Sequence, residues 1–256
     1  MPYAELAGLK LYYERAGNGA PELLLVHGWC CDHTAFQPQF DHFAQSHTVT
    51  SVDLRGCGQS DAPEDGYAIG DFADDLAQLC ATVGIEKPVV VGHSLGGMIA
   101  LELGARYPDL PGALVLVDPG PIAPRPDTVE FFRDFAGQLA GPGGEALRRE
   151  YVHDMGAHDE EIARWIVDLM CKPAQSVAAA SIRGTFEWDG REPLARCEMP
   201  VLLLRDGIDE RTDVHRLLEI KPDLAVGITV GAGHFHQIEV PDQVNAMVER
   251  FLALSL

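Results

Sequence analysis

Short apolar runs separated by helix-length amphipathic stretches are the feature that most restricts how this chain can fold. The runs Leu23 to Val26, Val49 to Asp53, Val89 to Val91, Ala113 to Val117, Val201 to Leu204 and Ala225 to Val230 read as buried strands. Helical patterns lie between most of them, at Ala35 to Ala44, Gly70 to Val83, Leu95 to Tyr107, Asp213 to Ile220 and Pro241 to Leu254. A strand with no polar face must be covered on both sides, so this alternation predicts a mostly parallel sheet between two layers of helices. Two further runs, Tyr3 to Leu6 and Leu9 to Tyr13, meet across Ala7-Gly8 as a hairpin and bring the expected strands to eight.

The regularity stops between Pro121 and Arg196, where P-I-A-P-R-P opens a long helix-rich stretch with its own aromatics. These observations predict an α/β core of residues 1–120 and 197–256, with 121–196 inserted as a helical cap over the ligand edge of the sheet. From the aromatics of the cap, Phe131, Phe135, Trp165 and Trp188 are expected at the substrate pocket.

Composition excludes several classes. Among 256 residues, 39 acidic against 19 basic give a formal charge of -20, the wrong sign for nucleic acid or an anionic membrane surface. No apolar run approaches the length of a bilayer span, and the start M-P-Y-A-E-L-A-G-L-K has no basic region followed by an apolar stretch, so a cytoplasmic protein is expected. The six cysteines are dispersed, as free thiols would be. H-G-W-C-C-D-H, His27 to His33, concentrates metal-ligand types, but no second Cys/His pair has zinc spacing; neither a metal nor a cofactor is expected. The expected partner is a small molecule, and the sequence sets no oligomeric state.

Ligands of open parallel sheets bind beyond the carboxyl ends of the strands, and chemically capable residues stand there. His27-Gly28-Trp29 follows the first buried run, Asp53-Leu54-Arg55-Gly56-Cys57-Gly58-Gln59-Ser60 the second, and Gly231-Ala232-Gly233-His234 the last. Between K-P-V-V-V and M-I-A-L-E-L-G-A-R the chain reads G-H-S-L-G-G, which centres Ser94 in a G-x-S-x-G pentapeptide between strand and helix. A serine hydroxyl is a weak nucleophile, so it has to be exposed on a tight turn beside a base and backbone N–H donors. Gly92 and Gly96 flank it where larger side chains would collide.

Taken together and in this order, H-G-W, D-L-R-G-C-G-Q-S, G-H-S-L-G-G and G-A-G-H resemble the α/β-hydrolase fold family over essentially the whole chain. The resemblance implies that Ser94 is the nucleophile and His234 the base, and that the backbone N–H groups of Leu95 and Trp29 form the oxyanion hole. It also implies a structural turn at Asp53 to Ser60, braced by Arg55 and Ser60. Of the ten histidines, His234 is preferred because Gly231 and Gly233 let its loop bend toward the nucleophile. His236 is its nearest rival. His93 is expected to be packed or bonded to backbone, and His27 to brace the oxyanion loop at the edge of the pocket.

Two positions offer the acid that orients His234. Asp118 follows the strand adjacent to that of the nucleophile, in A-L-V-L-V-D-P-G; Asp209, with Glu210 one residue on, follows Val201 to Leu204. Most of the family uses the later position, usually as G-x-x-D, and here that spacing from Gly207 reaches Glu210 instead. H-G-W-C-C-D-H-T-A-F with V-D-P-G resembles a subgroup in which the earlier acid serves, as in some dehalogenases and cofactor-free dioxygenases of the fold. Asp118 is therefore placed first and Asp209 kept as the alternative. The expected activity is that of a serine carboxylic-ester hydrolase with a Ser-His-Asp triad. Epoxide hydrolases and haloalkane dehalogenases carry aspartate where Ser94 stands. A carbon–carbon bond hydrolase or lactonase, a cofactor-free oxygenase and a non-catalytic ligand receptor remain alternatives on the same fold.

Overall fold

The computed structural model describes residues 2–155, 157–206 and 213–256. Eight strands form one sheet: β1 (Tyr3–Glu5), β2 (Lys10–Ala16), β3 (Leu23–Val26), β4 (Val49–Val52), β5 (Val89–His93), β6 (Ala113–Val117), β7 (Val201–Asp206) and β8 (Ala225–Thr229). Their order is β1-β2-β4-β3-β5-β6-β7-β8. Only β2 runs against its neighbours β1 and β4; the remaining pairs are parallel. The expected strands are all present, most within a residue or two of their predicted ends.

Period-two alternation divides the buried strands between two cores. Leu24, Val26, Val90, Leu114, Leu116 and Leu203 point to one face, where α2 (Ile69–Val83) and α3 (Leu95–Arg106) cover them. Leu23, Leu25, Val89, Val91, Val115 and Leu204 point to the other, under α1 (Gln37–Phe43) and α11 (Pro241–Ser255). The helices bury matching stripes, Ile69, Phe72, Ala73, Leu76, Leu79 and Cys80 in α2, and Val244, Val248, Phe251 and Leu252 in α11. The predicted helix at Ala35 to Ala44 is a 3-10 turn, His33–Phe36, running into α1, with Asp32 capping the turn through the Thr34 N–H.

Between β6 and β7 the chain leaves the sheet through α4 (Pro126–Ala140), α5 (Gly144–Met155), α6 (Glu160–Met170), α7 (Gln175–Phe186) and α8 (Arg191–Arg196). Two indole bonds fasten this helical insertion to the sheet layers: Trp29 Nε1 donates to the Ala178 carbonyl at 3.0 Å and Trp188 Nε1 to Glu102 Oε2 at 2.8 Å. After β7, α9 (Val214–Ile220) leads into β8, and α10 (His236–Glu239) precedes α11. No helix among the described residues is long and apolar enough to cross a membrane.

The chain adds β4 on one side of β3 and β5 on the other, so the strand order reverses between β3 and β5. The loops leaving the carboxyl ends of these two strands diverge there and leave a crevice. His27-Gly28-Trp29 leaves β3 at this point, and Ser94 leaves β5.

Candidate active site

Ser94 sits on backbone with φ 52° and ψ -114°, between the last residue of β5 and the first of α3. The turn is tight because strand and helix almost touch. A Cβ on Gly92 would lie 2.2 Å from the Gly96 carbonyl oxygen, and one on Gly96 2.1 Å from that of Val26. Both glycines are therefore required by close approach, while the left-handed conformation falls on the serine itself. The Ser94 N–H donates to the Val117 carbonyl at 3.0 Å and its carbonyl accepts from Gly120, which ties the elbow to the end of β6.

Four described non-glycine residues have positive φ, and three of them, Cys30, Ser94 and Asp118, lie on the loops that leave β3, β5 and β6, neighbours in the sheet. Such backbone costs on the order of 1–3 kcal/mol per residue and persists where the surroundings over-determine it. Asp118 follows β6 directly, with φ 40°, and its N–H donates to the Leu204 carbonyl at 2.7 Å. Its Oδ2 accepts from His234 Nδ1 at 2.5 Å, with both side chains buried. That bond leaves Nε2 as the ring nitrogen of His234 directed away from the acid. Asp209 and Glu210, the other acids considered, lie outside the described residues.

A cavity of about 190 Å³ joins these groups to the insertion. Ser94, Leu95, Trp29 and His234 border it from the sheet, and Phe132, Tyr151, Met155, Ile182 and Phe186 from the helices. Pro119 to Pro121, the first residues after Asp118, complete the rim with Ala123, Pro124, Arg125 and Thr128. The N–H groups of Leu95 and Trp29 have no protein acceptor among the described residues, so both remain available to a bound oxygen. Trp29 thus joins both halves: its backbone stands beside Ser94, and its indole meets Tyr151 edge-on at 6.2 Å and bonds to α7.

Three buried histidines frame His234 and its neighbours without bordering the cavity. His93 Nε2 donates to the His234 carbonyl at 2.9 Å and its ring lies 4.7 Å from that of His234. Burial above all, and then His234 beside it, holds the His93 pKa well below the ordinary histidine value. His236, the rival base, meets Thr229 Oγ1 through Nδ1 at 2.8 Å, and burial lowers its pKa to about 4. His27 accepts from the Leu54 N–H at Nε2, 3.0 Å, so its proton sits on Nδ1, 2.8 Å from the Gly28 carbonyl.

His27 accordingly braces the oxyanion loop from behind and does not line the pocket. The four aromatics expected at the pocket also stand elsewhere. Phe131 is 57% exposed, and Phe135 is buried inside the insertion against Tyr151. Trp165 lies on the outer face of α6, whose buried stripe is Ile166, Val167, Leu169 and Met170. Trp188 is held by Glu102 at the outer edge of the insertion. The walls are Phe132 and Phe186, stacked at 3.6 Å, with Tyr151 and Met155. One signal pointed to the rim: residues immediately after Asp118 must cross the mouth of the crevice, which places Pro119 to Arg125 over it.

The Asp53 to Ser60 turn is internal bracing. Ser60 Oγ donates to the Asp53 carbonyl at 2.6 Å, and Arg55 grips Asp75 through two bonds of 2.6 Å. Asp32, His33 and Asp53 converge closely enough to suggest a cation site. Their atoms are already engaged, Asp53 with His33 and the Gln59 N–H, Asp32 with Thr34.

Sheet order, strand-end elbow and helical insertion together define an α/β-hydrolase architecture. The family model of the alpha/beta hydrolase fold matches residues 21–241, and the chain belongs to that family. It is 36% identical over 264 residues to the 2-(acetamidomethylene)succinate hydrolase of Mesorhizobium japonicum, covering 97% of this chain and 93% of that one. Among solved structures it is similar in fold to a thermophilic esterase from Thermogutta terrifontis, with a TM-score of 0.88 at 24% identity over 99% and 98% of the two chains. The enol-lactonase from Burkholderia xenovorans is similar to the same degree, TM-score 0.88 at 23% identity, over 98% of this chain and 100% of its own.

Proposed function

We propose that this protein is a serine hydrolase of carboxylic esters. Ser94 Oγ attacks the acyl carbon while His234 Nε2 takes its proton, and the carbonyl electrons move onto an oxyanion received by the Leu95 and Trp29 N–H groups. Collapse of this intermediate expels the alcohol, which regains the proton from His234. Water then attacks the acyl-enzyme with His234 again as base, and the acid leaves with Ser94 restored. Asp118 holds the imidazole in the tautomer this requires and balances the imidazolium.

The observation that carries the reading is the 2.5 Å bond from His234 Nδ1 to Asp118, behind a cavity bordered by both His234 and the strained Ser94. Membership of the family and the hydrolase activity named for the Mesorhizobium relative support it. A soluble cytoplasmic location agrees with the acidic composition and is proposed with it.

The test is labelling with a fluorophosphonate and turnover of short 4-nitrophenyl esters. One equivalent of label is expected on Ser94. Ser94→Ala should lose the label and at least about a thousandfold in kcat with its melting temperature retained. Undiminished turnover in that variant refutes the reading.

A further inference from the structure

The rim of the cavity carries a cation that the hydrolytic steps leave unused. Among the described bordering residues Arg125 is the single Lys or Arg, and none is Asp or Glu. In a chain with 39 acidic and 19 basic residues, a charged position would by composition more often be acidic. The backbone presenting Arg125 is restricted from both sides. Pro124 precedes it, Pro126 opens α4 after it, and a residue before proline is confined to extended backbone; Arg125 adopts φ -80° and ψ 152°. Thr128, half-buried, borders the cavity beside it.

Among the described residues the guanidinium has one ion pair, with Asp127, Nε to Oδ1 at 3.6 Å, and the two side chains are 73% and 75% exposed. A pair so long and so solvated contributes little and gives way readily to a carboxylate offering two oxygens to the planar fork. Ser94 borders the same cavity, and Phe132, Tyr151, Met155, Ile182 and Phe186 give it an apolar and aromatic wall.

We propose that the substrates are esters carrying a second, negatively charged group, a carboxylate, which Arg125 binds at the rim while Ser94 meets the ester carbonyl. The inference rests on the serine-hydrolase reading and deepens it. With a net charge of -20 the molecule as a whole repels an anion, so a local cation determines whether a charged ester is admitted. Arg125 acts on binding and takes no part in bond making.

Two pairs of esters test it, matched in size and differing in charge. The half-ester of glutaric acid with 4-nitrophenol is compared with 4-nitrophenyl valerate, and 4-acetoxybenzoate with phenyl acetate, so the carboxylate is placed on either side of the scissile bond. In at least one pair, Arg125→Gln should lower kcat/KM for the anionic member tenfold or more, chiefly through KM, with the neutral member within twofold. Arg125→Lys should recover part of the loss. Added salt should bring kcat/KM of the wild type and of Arg125→Gln for the anionic member closer together, because the attraction that separates them is screened. Equal effects on both members of both pairs, or no effect on either anion, overturns the proposal. If the wild type turns over none of the four esters while fluorophosphonate still labels Ser94, the substrate class is wrong; if the label also fails, the hydrolase reading fails beneath it.

Discussion

Ser94 and Asp118 stand on the first residues beyond β5 and β6, with φ of 52° and 40° and their N–H groups bonded across to neighbouring strands. Phe132, Tyr151 and Phe186, which border the same cavity as Ser94, stand in α4, α5 and α7, and their mutual contacts are ring against ring. The first half is positioned by a hydrogen-bonded sheet whose register leaves no latitude. The second is positioned by side-chain packing, which tolerates exchange of one apolar group for another of similar volume. Polar chemistry is therefore concentrated where displacement is hardest, and shape selection where substitution is easiest. Changes on the sheet side should act on kcat, those on the helical side on KM.

The largest effect expected of a conservative change on the sheet side follows from the acid. Asp118→Asn keeps the shape of the side chain but removes the charge that holds the His234 tautomer, so kcat should fall about 10³- to 10⁴-fold at unchanged melting temperature. Asp209→Asn should cost less than tenfold. A loss of the larger size in Asp209→Asn alone would move the acid to the β7 loop and separate it from the strained position after β6.

A second contrast is in histidines. His27, His93 and His236 are buried on the sheet side, whereas His153 and His158 of the insertion are solvated. Burial holds the folded-state pKa of His236 at about 4, below the roughly 6.5 of an unfolded chain. Between these values the unfolded state binds a proton that the folded state does not, so the stability this group permits is full above pH 6.5 and declines toward pH 4. For His236 alone the loss approaches about 3 kcal/mol at pH 4. His236→Asn retains a polar atom toward Thr229 and should flatten the fall in urea-unfolding free energy between pH 7 and pH 4 by that order. An unaltered slope would show that another group controls acid unfolding.

The same division explains what was legible from sequence. Leu23 to Val26 and Ala113 to Val117 match their strands residue for residue, because an apolar run in an α/β chain can only be buried between two helical layers. Ser94 and His234 were findable because the elbow and the strand-end loops demand particular residues at fixed offsets. The bond between Asp118 and His234 was harder to foresee: left-handed backbone leaves no mark in the sequence at an aspartate, and the neighbouring strand end offered Asp209 on equal chemical terms. The pocket walls were not legible. Phe131, Phe132 and Phe135 are equally apolar, and only the rotation of α4 against α7 turns Phe132 to the cavity, Phe135 to the interior and Phe131 to solvent.

That rotation supplies the smallest expected effect, on the helical side. Phe132 stacks on Phe186 with ring planes 4° apart and borders the cavity, whereas its neighbour Phe131 is mostly in water. A stacked aromatic pair is worth about 0.5–1.5 kcal/mol beyond its area. Phe132→Leu keeps most of the buried volume and loses the stacking, so KM for an aryl ester should rise roughly 3- to 10-fold with kcat within twofold. Phe131→Leu, the same chemical change one residue away, should leave both within twofold. Equal effects from the two would mean that the helices act on the substrate only as a bulk apolar cover. A fall in kcat from Phe132→Leu without a rise in KM would mean that the insertion positions the reacting groups as well, through Trp29 and its bond to Ala178, and the separation of the two halves would no longer hold.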